Sequence, residues 1–365
     1  MTTFNLDLLK KLIATPSDKN ELEVTTLLER VLGVYGFTVE KVEVEPGRWN
    51  LFATKNAQAA KKAILFYGHQ DTVGPLSDWK NPYEPVIEGD KLIGLGGYDM
   101  KGGMVSFLDA TKETSAYVKL FLAIDEEIIS KGAWHALEHQ RSFFDDVEMV
   151  VSAEPNFELG LHGITRGRTG RAVFVVKFQG KAAHVAKYKE AVDAIEMASN
   201  WVTKLYAQRE KLFTSPRTVT LVRKINGEAI GMSVCADVSL EVEVQVGATD
   251  SFDQVKSILE HLEPGNPSIS IELKPRVTPY LPGYFFDSFP YQAKIGQIIL
   301  ETVGREMTLH DRSSVGDDNA IATVGIPVIT WGPDGGNAHN TGEWVSLSSL
   351  ETLSAMYVKF LKSLE

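Results

Sequence analysis

Cysteine is almost absent. With Cys235 the one thiol among 365 residues, the chain can form no intramolecular disulfide and no thiolate metal cluster, so any bound metal must sit on His, Asp and Glu. Long apolar runs are missing too: none approaches the roughly 20 residues that a membrane-spanning helix needs. Positive charge is in deficit, with 37 Lys and Arg against 48 Asp and Glu for a net charge of −11. A nucleic-acid or anionic-membrane surface needs clustered Lys and Arg, so neither is an expected partner. The opening stretch MTTFNLDLLKKLIATPSDKNE lacks the basic start, apolar centre and small-residue cleavage site of a secretory leader. A cytoplasmic location is expected. Internal repeats and low-complexity linkers are also absent.

What is present is the composition of a folded chain, 44% apolar and 23% charged. At about 100–200 residues per domain, the length suggests two domains, each able to bury a core. Two helices are predicted first. Leu8, Leu9, Leu12 and Ile13 share a face of one, and Leu22, Leu27, Leu28, Val31, Leu32 and Tyr35 line the other, with Asp18 and Glu21 spaced as a capping box before it. Strand-like segments follow around Val39–Val44 and Leu51–Thr54. Then come short, almost wholly apolar runs, Ala63–Gly68, Leu120–Ile124 and Met149–Ala153, separated by helical segments at about Lys101–Thr114 and Lys131–His139. Runs of that kind suit strands buried on both faces, as in a mostly parallel sheet with helices on both sides. The fold class is therefore α/β.

Each run ends in chemistry-bearing residues. The first ends in His69-Gln70-Asp71, the second in Asp125-Glu126-Glu127 and the third in Glu154; a fourth run, Ile326–Trp331, leads into GPDGGNAHN with His339. Ligands of open α/β sheets bind outside the carboxyl ends of the strands, so His and carboxylates converge on one edge, as a metal site requires. His69 and Asp71 lie on the same side of an extended segment, and an Asp two residues away can take the second N–H of a metal-binding imidazole. Asp99 sits in GLGGYDMKGG, whose glycines let backbone approach closely. Of the adjacent Glu126 and Glu127, one can bind metal while the other faces a substrate water.

Residues from about Arg168 to Lys274 read differently. A strand at Arg171–Phe178, a helix at Ala191–Tyr206, a strand at Thr218–Arg223, an unbroken alternation over Val234–Val246, a helix at Ser251–Leu262 capped by Ser251 and Gln254, and a strand at Ser268–Leu273 give the order βαββαβ of a ferredoxin-like module. The expected organisation is one domain from 1–167 and 275–365 with a module, 168–274, inserted in it.

These motifs, GHQDTV, GGYDMKGG, the DEE with Gly132 downstream, Glu154-Pro155 and GNAHNTGEWV, together with the inserted module, resemble the dinuclear zinc peptidase and deacylase family. That family includes acetylornithine deacetylase, succinyl-diaminopimelate desuccinylase, glutamate carboxypeptidase, aminoacylase and tripeptidase, and the resemblance covers the whole chain. It implies that Asp99 bridges two metals, that His69 and Glu154 complete one and Glu127 and His339 the other, that Asp71 orients His69, and that Glu126 is the general base. It also implies a cis peptide after Asp99. In the module, GKAAHVA resembles the family's lid segment, which makes His184 the oxyanion-stabilising histidine, in several members acting across a homodimer formed through the inserted domain.

Imidazole and carboxylate on each metal make a borderline-hard N/O site, for which Zn²⁺ is the first expectation and Co²⁺ or Mn²⁺ the alternatives. Two such ions about 3.5–4 Å apart can hold a hydroxide that Glu126 forms by taking a proton. The reading is a hydrolase that removes the acyl group from a small N-acyl amino acid. The alternatives are a carboxypeptidase or dipeptidase of the same family and, from another class, a binding protein on the same fold.

Other signals are discounted. His135, Glu138 and His139 match an H-x-x-E-H pattern but read as a helix face. Gly94-Leu95-Gly96-Gly97 lacks the rest of a nucleotide fingerprint. Cys235 is placed on the polar side of the alternating strand as an inert thiol, and His162, His261 and His310 are read as ordinary polar residues. Two positions depart from the family. Met232 and Gln245 stand where members carry an Asn and an Arg that contact the substrate carboxylate, with Arg166, Arg168, Arg223 or Lys224 as candidates to replace them. Gly316-Asp317 stands where many have Ser-Asp.

Overall fold

Two strands with no exposed residue, Ala63–His69 and Val118–Ala123, lie at the middle of the main sheet. In the computed structural model, which describes residues 4–58, 61–157 and 159–365, the sheet runs Thr38–Glu45, Arg48–Lys55, Val118–Ala123, Ala63–His69, Val147–Ser152, Val328–Thr330, Gly163–Arg168. The pairings among its four central strands are parallel; those toward Arg48–Lys55 and Thr38–Glu45 on one side, and toward Gly163–Arg168 on the other, are antiparallel. This is the mixed α/β fold that unbroken apolar runs require, because parallel strands need cover on both faces. Phe66 meets Phe107 of the helix Gly102–Thr111 and Tyr357 of the helix Leu347–Lys362. The next residue, Tyr67, faces the other way, onto Phe121, which in turn meets Phe144.

The N-terminal helix, Leu6–Ala14, buries Leu8, Leu9, Leu12 and Ile13, and Asn5 caps it by accepting from Leu8 N at 3.1 Å; the first three residues of the opening stretch lie outside the described residues. The second, Leu22–Val34, has no capping box. The Glu21 carboxylate is taken by Arg48, Asp18 accepts from the Tyr83 hydroxyl, and Asn20 Oδ1 receives Leu22 N at 2.8 Å. Its buried face includes Val24, Leu28 and Leu32, while Leu22 is exposed.

The chain divides into two units, Met1–Gly167 with Phe286–Asp311 and Gly316–Glu365, and Arg168–Phe285 with Arg312–Val315. The second unit thus runs past 274 to Phe285. The reason is that the chain returns along its first strand, where Arg171 N donates to the Leu281 carbonyl at 2.8 Å. Its antiparallel sheet has the order Val219–Gly227, Asp237–Val246, Gly170–Gln179, Ile269–Leu273, the ferredoxin-like arrangement, with helices Ala194–Gln208 and Phe252–Glu260. Val238, Leu240, Val242, Val244 and Val246 point into a core with Phe174, Val176, Trp201 and Leu259. Ser251 and Gln254 form the expected capping box. Cys235 is corrected by this structure: the strand begins at Asp237, so the alternation does not reach back to Cys235, which is buried in the same core with Sγ donating to the Asp237 carbonyl.

Two glycines let elements press on the chain that carries Glu154. A Cβ on Gly103 would overlap the Ala153 carbonyl oxygen, and one on Gly332 would overlap that of Glu154. Ala at a helical position such as 103 ordinarily gains about 0.5–1 kcal/mol over Gly, whereas forcing backbone apart in a packed interior costs about 1–3 kcal/mol or more. Overlap wins here. Gly103→Ala is therefore expected to lose about 2 kcal/mol in urea unfolding, and a variant as stable as the parent would contradict this packing.

Candidate metal centre

The carboxyl ends of three neighbouring parallel strands deliver the first side chains. His69 is the last residue of Ala63–His69, Glu126 and Glu127 follow Val118–Ala123, and Glu154 follows Val147–Ser152. Asp99 comes from the turn Gly97–Lys101, where the Asp99–Met100 peptide is cis, and His339 from the loop before Trp344–Ser346.

Asp99 stands between the two imidazoles. Its Oδ1 is 3.2 Å from His69 Nε2 and its Oδ2 3.2 Å from His339 Nε2. His69 Nε2 is also 3.6 Å from Glu154 Oε1, and His339 Nε2 is 3.1 Å from Glu127 Oε2. Two donor groups result, His69–Asp99–Glu154 and Asp99–Glu127–His339, each with ligand atoms within 4.8 Å of one another. Ligand atoms each about 2 Å from a tetrahedral ion lie about 3.3 Å apart. The donors therefore have the mutual spacing of two coordination shells that share Asp99. A third grouping, His69–Glu126–Glu127, brings Glu126 to the same place.

Burial comes first in the electrostatics of the carboxyls, and like charge second. Burial, then the nearby Glu154, holds the Glu126 carboxyl well above the usual carboxylate range, and burial with Asp99 raises Glu127. Burial works against an ionised Asp99 as well, but hydrogen bonds from His339 and His69 outweigh it and lower its pKa. Bonds to Asp99 and Glu127 push His339 up to about 11. Glu126, Glu127 and both imidazoles thus hold protons more tightly than usual, while Asp99 between the imidazoles holds its proton less tightly, as expected where anions outnumber cations.

Asp71 does more than expected. His69 Nδ1 lies 3.0 Å from the Asp71 main-chain carbonyl and 3.5 Å from its Oδ1, which leaves Nε2 for a metal. The Asp71 carboxylate also accepts from Glu126 N at 3.2 Å and Glu127 N at 3.0 Å. Asn50, missed in the sequence, closes the same loop: its Oδ1 accepts from Ile124 N at 3.1 Å and its Nδ2 donates to the Gly132 carbonyl at 2.8 Å. A Cβ on Gly132 would stand 2.6 Å from Asn50 Oδ1, so glycine there is required by the clamp. No short-range pattern marks Asn50, which lies 74 residues from Ile124. Asp317 is fully buried, accepts from the Tyr67 hydroxyl at 2.7 Å, and is raised by burial to about 7.

The remaining candidates belong to neither donor group. His184 belongs to the other unit, is exposed, and caps the short turn Val185–Glu190 with Nδ1 accepting from Ala186 N at 3.2 Å. In that unit Met232 is exposed and Gln245 donates to the Ser313 carbonyl. Arg223 pairs with Glu243, and Arg166 donates to the Asp287 carbonyl. His135, Glu138 and His139 occupy the helix Lys131–His139 and form no ligand group among the described residues. Among those residues, no helix is long and apolar enough to cross a membrane.

Residues 65–363 match the model of peptidase family M20/M25/M40. Succinyl-diaminopimelate desuccinylase from Azoarcus sp. (strain BH72) is 26% identical over 98% of this chain and 96% of its own length. That of Aromatoleum aromaticum is 27% identical over 99% and 96%. Among solved structures, aminopeptidase PepT from Bacillus cereus ATCC 10987 shares the fold over the full length of both chains, with a TM-score of 0.82 at 20% identity. A dinuclear metal-binding M20 peptidase from Bacillus subtilis shares it over 98% of this chain and 97% of its own, with a TM-score of 0.70 at 15% identity.

Metal removal tests the centre directly. Zn²⁺ at a free concentration 100 times its dissociation constant stabilises the folded state by about 2.7 kcal/mol per site. Thermal unfolding is expected at a clearly higher temperature in Zn²⁺ than in EDTA, and Asp99→Asn, which alters both donor groups, should remove most of the difference. Identical melting with and without metal would contradict the assignment.

Proposed function

Because the chain belongs to peptidase family M20/M25/M40, and so to the metal-dependent hydrolases of amide bonds, we propose that it removes the acyl group from a small N-acyl amino acid. The observation that carries this reading is the position of Glu126. It comes within ligand distance of His69 and Glu127 yet lies outside both Asp99 groups, with its carboxyl raised by burial. A carboxyl so placed can take a proton from water and return it to a leaving amine.

His69, Asp99 and Glu154 would hold one divalent ion, and Asp99, Glu127 and His339 the other. The bound ions supply Lewis acidity, toward the amide carbonyl and toward water. Glu126 takes a proton from the attacking water as its oxygen bonds to the carbonyl carbon. It then gives that proton to the nitrogen as the C–N bond breaks, releasing the amine and the carboxylic acid, which loses its remaining proton to solvent or to the amine. Asp71, through the amides of Glu126 and Glu127, keeps the base in place. The donor set suits Zn²⁺ first, with Co²⁺ or Mn²⁺ as alternatives.

The desuccinylase relatives, aligned along nearly the whole chain, support a deacylase of the desuccinylase or acetylornithine deacetylase kind. A carboxypeptidase or dipeptidase activity is the second reading, and peptidase structures of the same fold favour it. The proposal includes a cytoplasmic location and a homodimer formed through the inserted unit, with His184 stabilising the oxyanion at the neighbouring site. Pairing of edge strands in such a dimer would also remove an exposed edge.

A screen of metal-loaded protein on N-acetyl and N-succinyl amino acids and on dipeptides separates the two substrate readings. On whichever is active, Glu126→Gln should keep metal and lose about 100- to 10,000-fold in kcat; near-parental turnover would contradict the base. Mixing inactive Glu126→Gln and His184→Ala chains should restore activity if His184 acts across a dimer, and a monomer in light scattering would exclude that arrangement.

A further inference from the structure

Four residues after His339, a carboxyl that neither donor group uses is buried at the turn that carries Asp99. Glu343 is 1% exposed. Its Oε1 accepts from Tyr98 N at 2.9 Å and Asp99 N at 3.0 Å, its Oε2 accepts from Gly96 N at 3.0 Å, and its main-chain carbonyl accepts from Gly94 N at 3.0 Å. Every one of these donors belongs to the segment that ends in Asp99. The turn exposes three amides to one point because Gly96 takes φ 74°, a conformation glycine adopts without strain.

Glu343 is also tied to the loop that carries His339. Its own N–H donates to the Asn340 carbonyl at 3.2 Å, closing the loop between the two residues. The strand that follows, Trp344–Ser346, pairs with Lys91–Ile93, just ahead of the Asp99 segment. One side chain thus registers the loop of His339 against the turn of Asp99, the two residues whose side chains approach to 3.2 Å.

We propose that Glu343 is the positioning residue that sets Asp99 between the two metal sites, so that its loss weakens both sites together. This rests on the reading that Asp99 serves both ions. Carboxylates suit the task because their two oxygens can accept three or more N–H groups, whereas an amide of the same shape turns a donor toward one of them. A buried amide N–H left facing another donor forces the turn to shift, and Asp99 shifts with it. Partners one step behind metal ligands typically change affinity by about 10–100-fold.

The test is competition titration of the metal-free full-length protein with Zn²⁺ against a chromophoric chelator, which reads affinity per folded molecule. Glu343→Gln should weaken both binding steps about 10- to 100-fold, with kcat reduced and KM within about threefold of parental. Glu343→Asp, which keeps the charge but withdraws it by one methylene, should fall between the two. A residue that only supports the fold would lower the melting temperature of the metal-free protein and leave both affinities alone. Either variant binding Zn²⁺ like the parent overturns the proposal, as does failure of both to fold, which would make Glu343 part of the fold itself. Asp99→Asn in the same titration separates the two claims. If it binds like the parent, the metal reading fails; if it is weakened while Glu343→Gln is not, this proposal alone fails.

Discussion

Four carboxylates, Asp99, Glu126, Glu127 and Glu154, crowd two imidazoles at one edge of one sheet, and that crowding is the constraint on which the rest of the structure depends. Bringing anions together out of water is opposed both by desolvation and by their mutual repulsion. The response is visible in the raised carboxyls of Glu126 and Glu127 and the strongly raised His339. Nothing in the local propensities of these loops favours such an assembly. It is held by rigid neighbours: three fully buried strand ends and a helix packed so tightly on Ala153 that only glycine fits at 103.

Polar clamps complete the frame. The Asp71 carboxylate accepts the amides of Glu126 and Glu127, Asn50 brackets the same loop at both ends, and Glu343 gathers the amides before Asp99. Arg48 reaches both Glu21 and Asp125, joining the second helix to the start of that loop. Asp71, Asn50 and Glu343 each commit a buried polar side chain to backbone rather than to substrate, which is how a loop gains the precision of a strand.

Much of this was readable from the sequence for a physical reason. Strands buried on both faces must be continuously apolar, so Ala63–His69 and Val118–Ala123 announce themselves, and the residues just past them inherit a shared edge. Alternation marked the core face of Asp237–Val246 equally well. What escaped depends on partners distant in sequence. The Asp18–Glu21 spacing fits a capping box, yet Arg48 takes Glu21. Asn50 and Glu343 look like ordinary polar residues until chain about 74 and 245 positions away is brought beside them. Cys235 was misplaced because alternation says which face a residue takes but not where the strand begins. The stretch to Phe285 joined the second unit through a backbone contact with Arg171, which carries no compositional mark.

The central claim is that one carboxylate serves two cations, and anomalous diffraction from crystals grown with Zn²⁺ tests it most directly. The account predicts two peaks at the zinc edge, one among His69, Asp99 and Glu154 and the other among Asp99, Glu127 and His339, with one Asp99 oxygen toward each. A single peak that leaves Asp99 out, or zinc bound instead on the His135–His139 helix face, would contradict it.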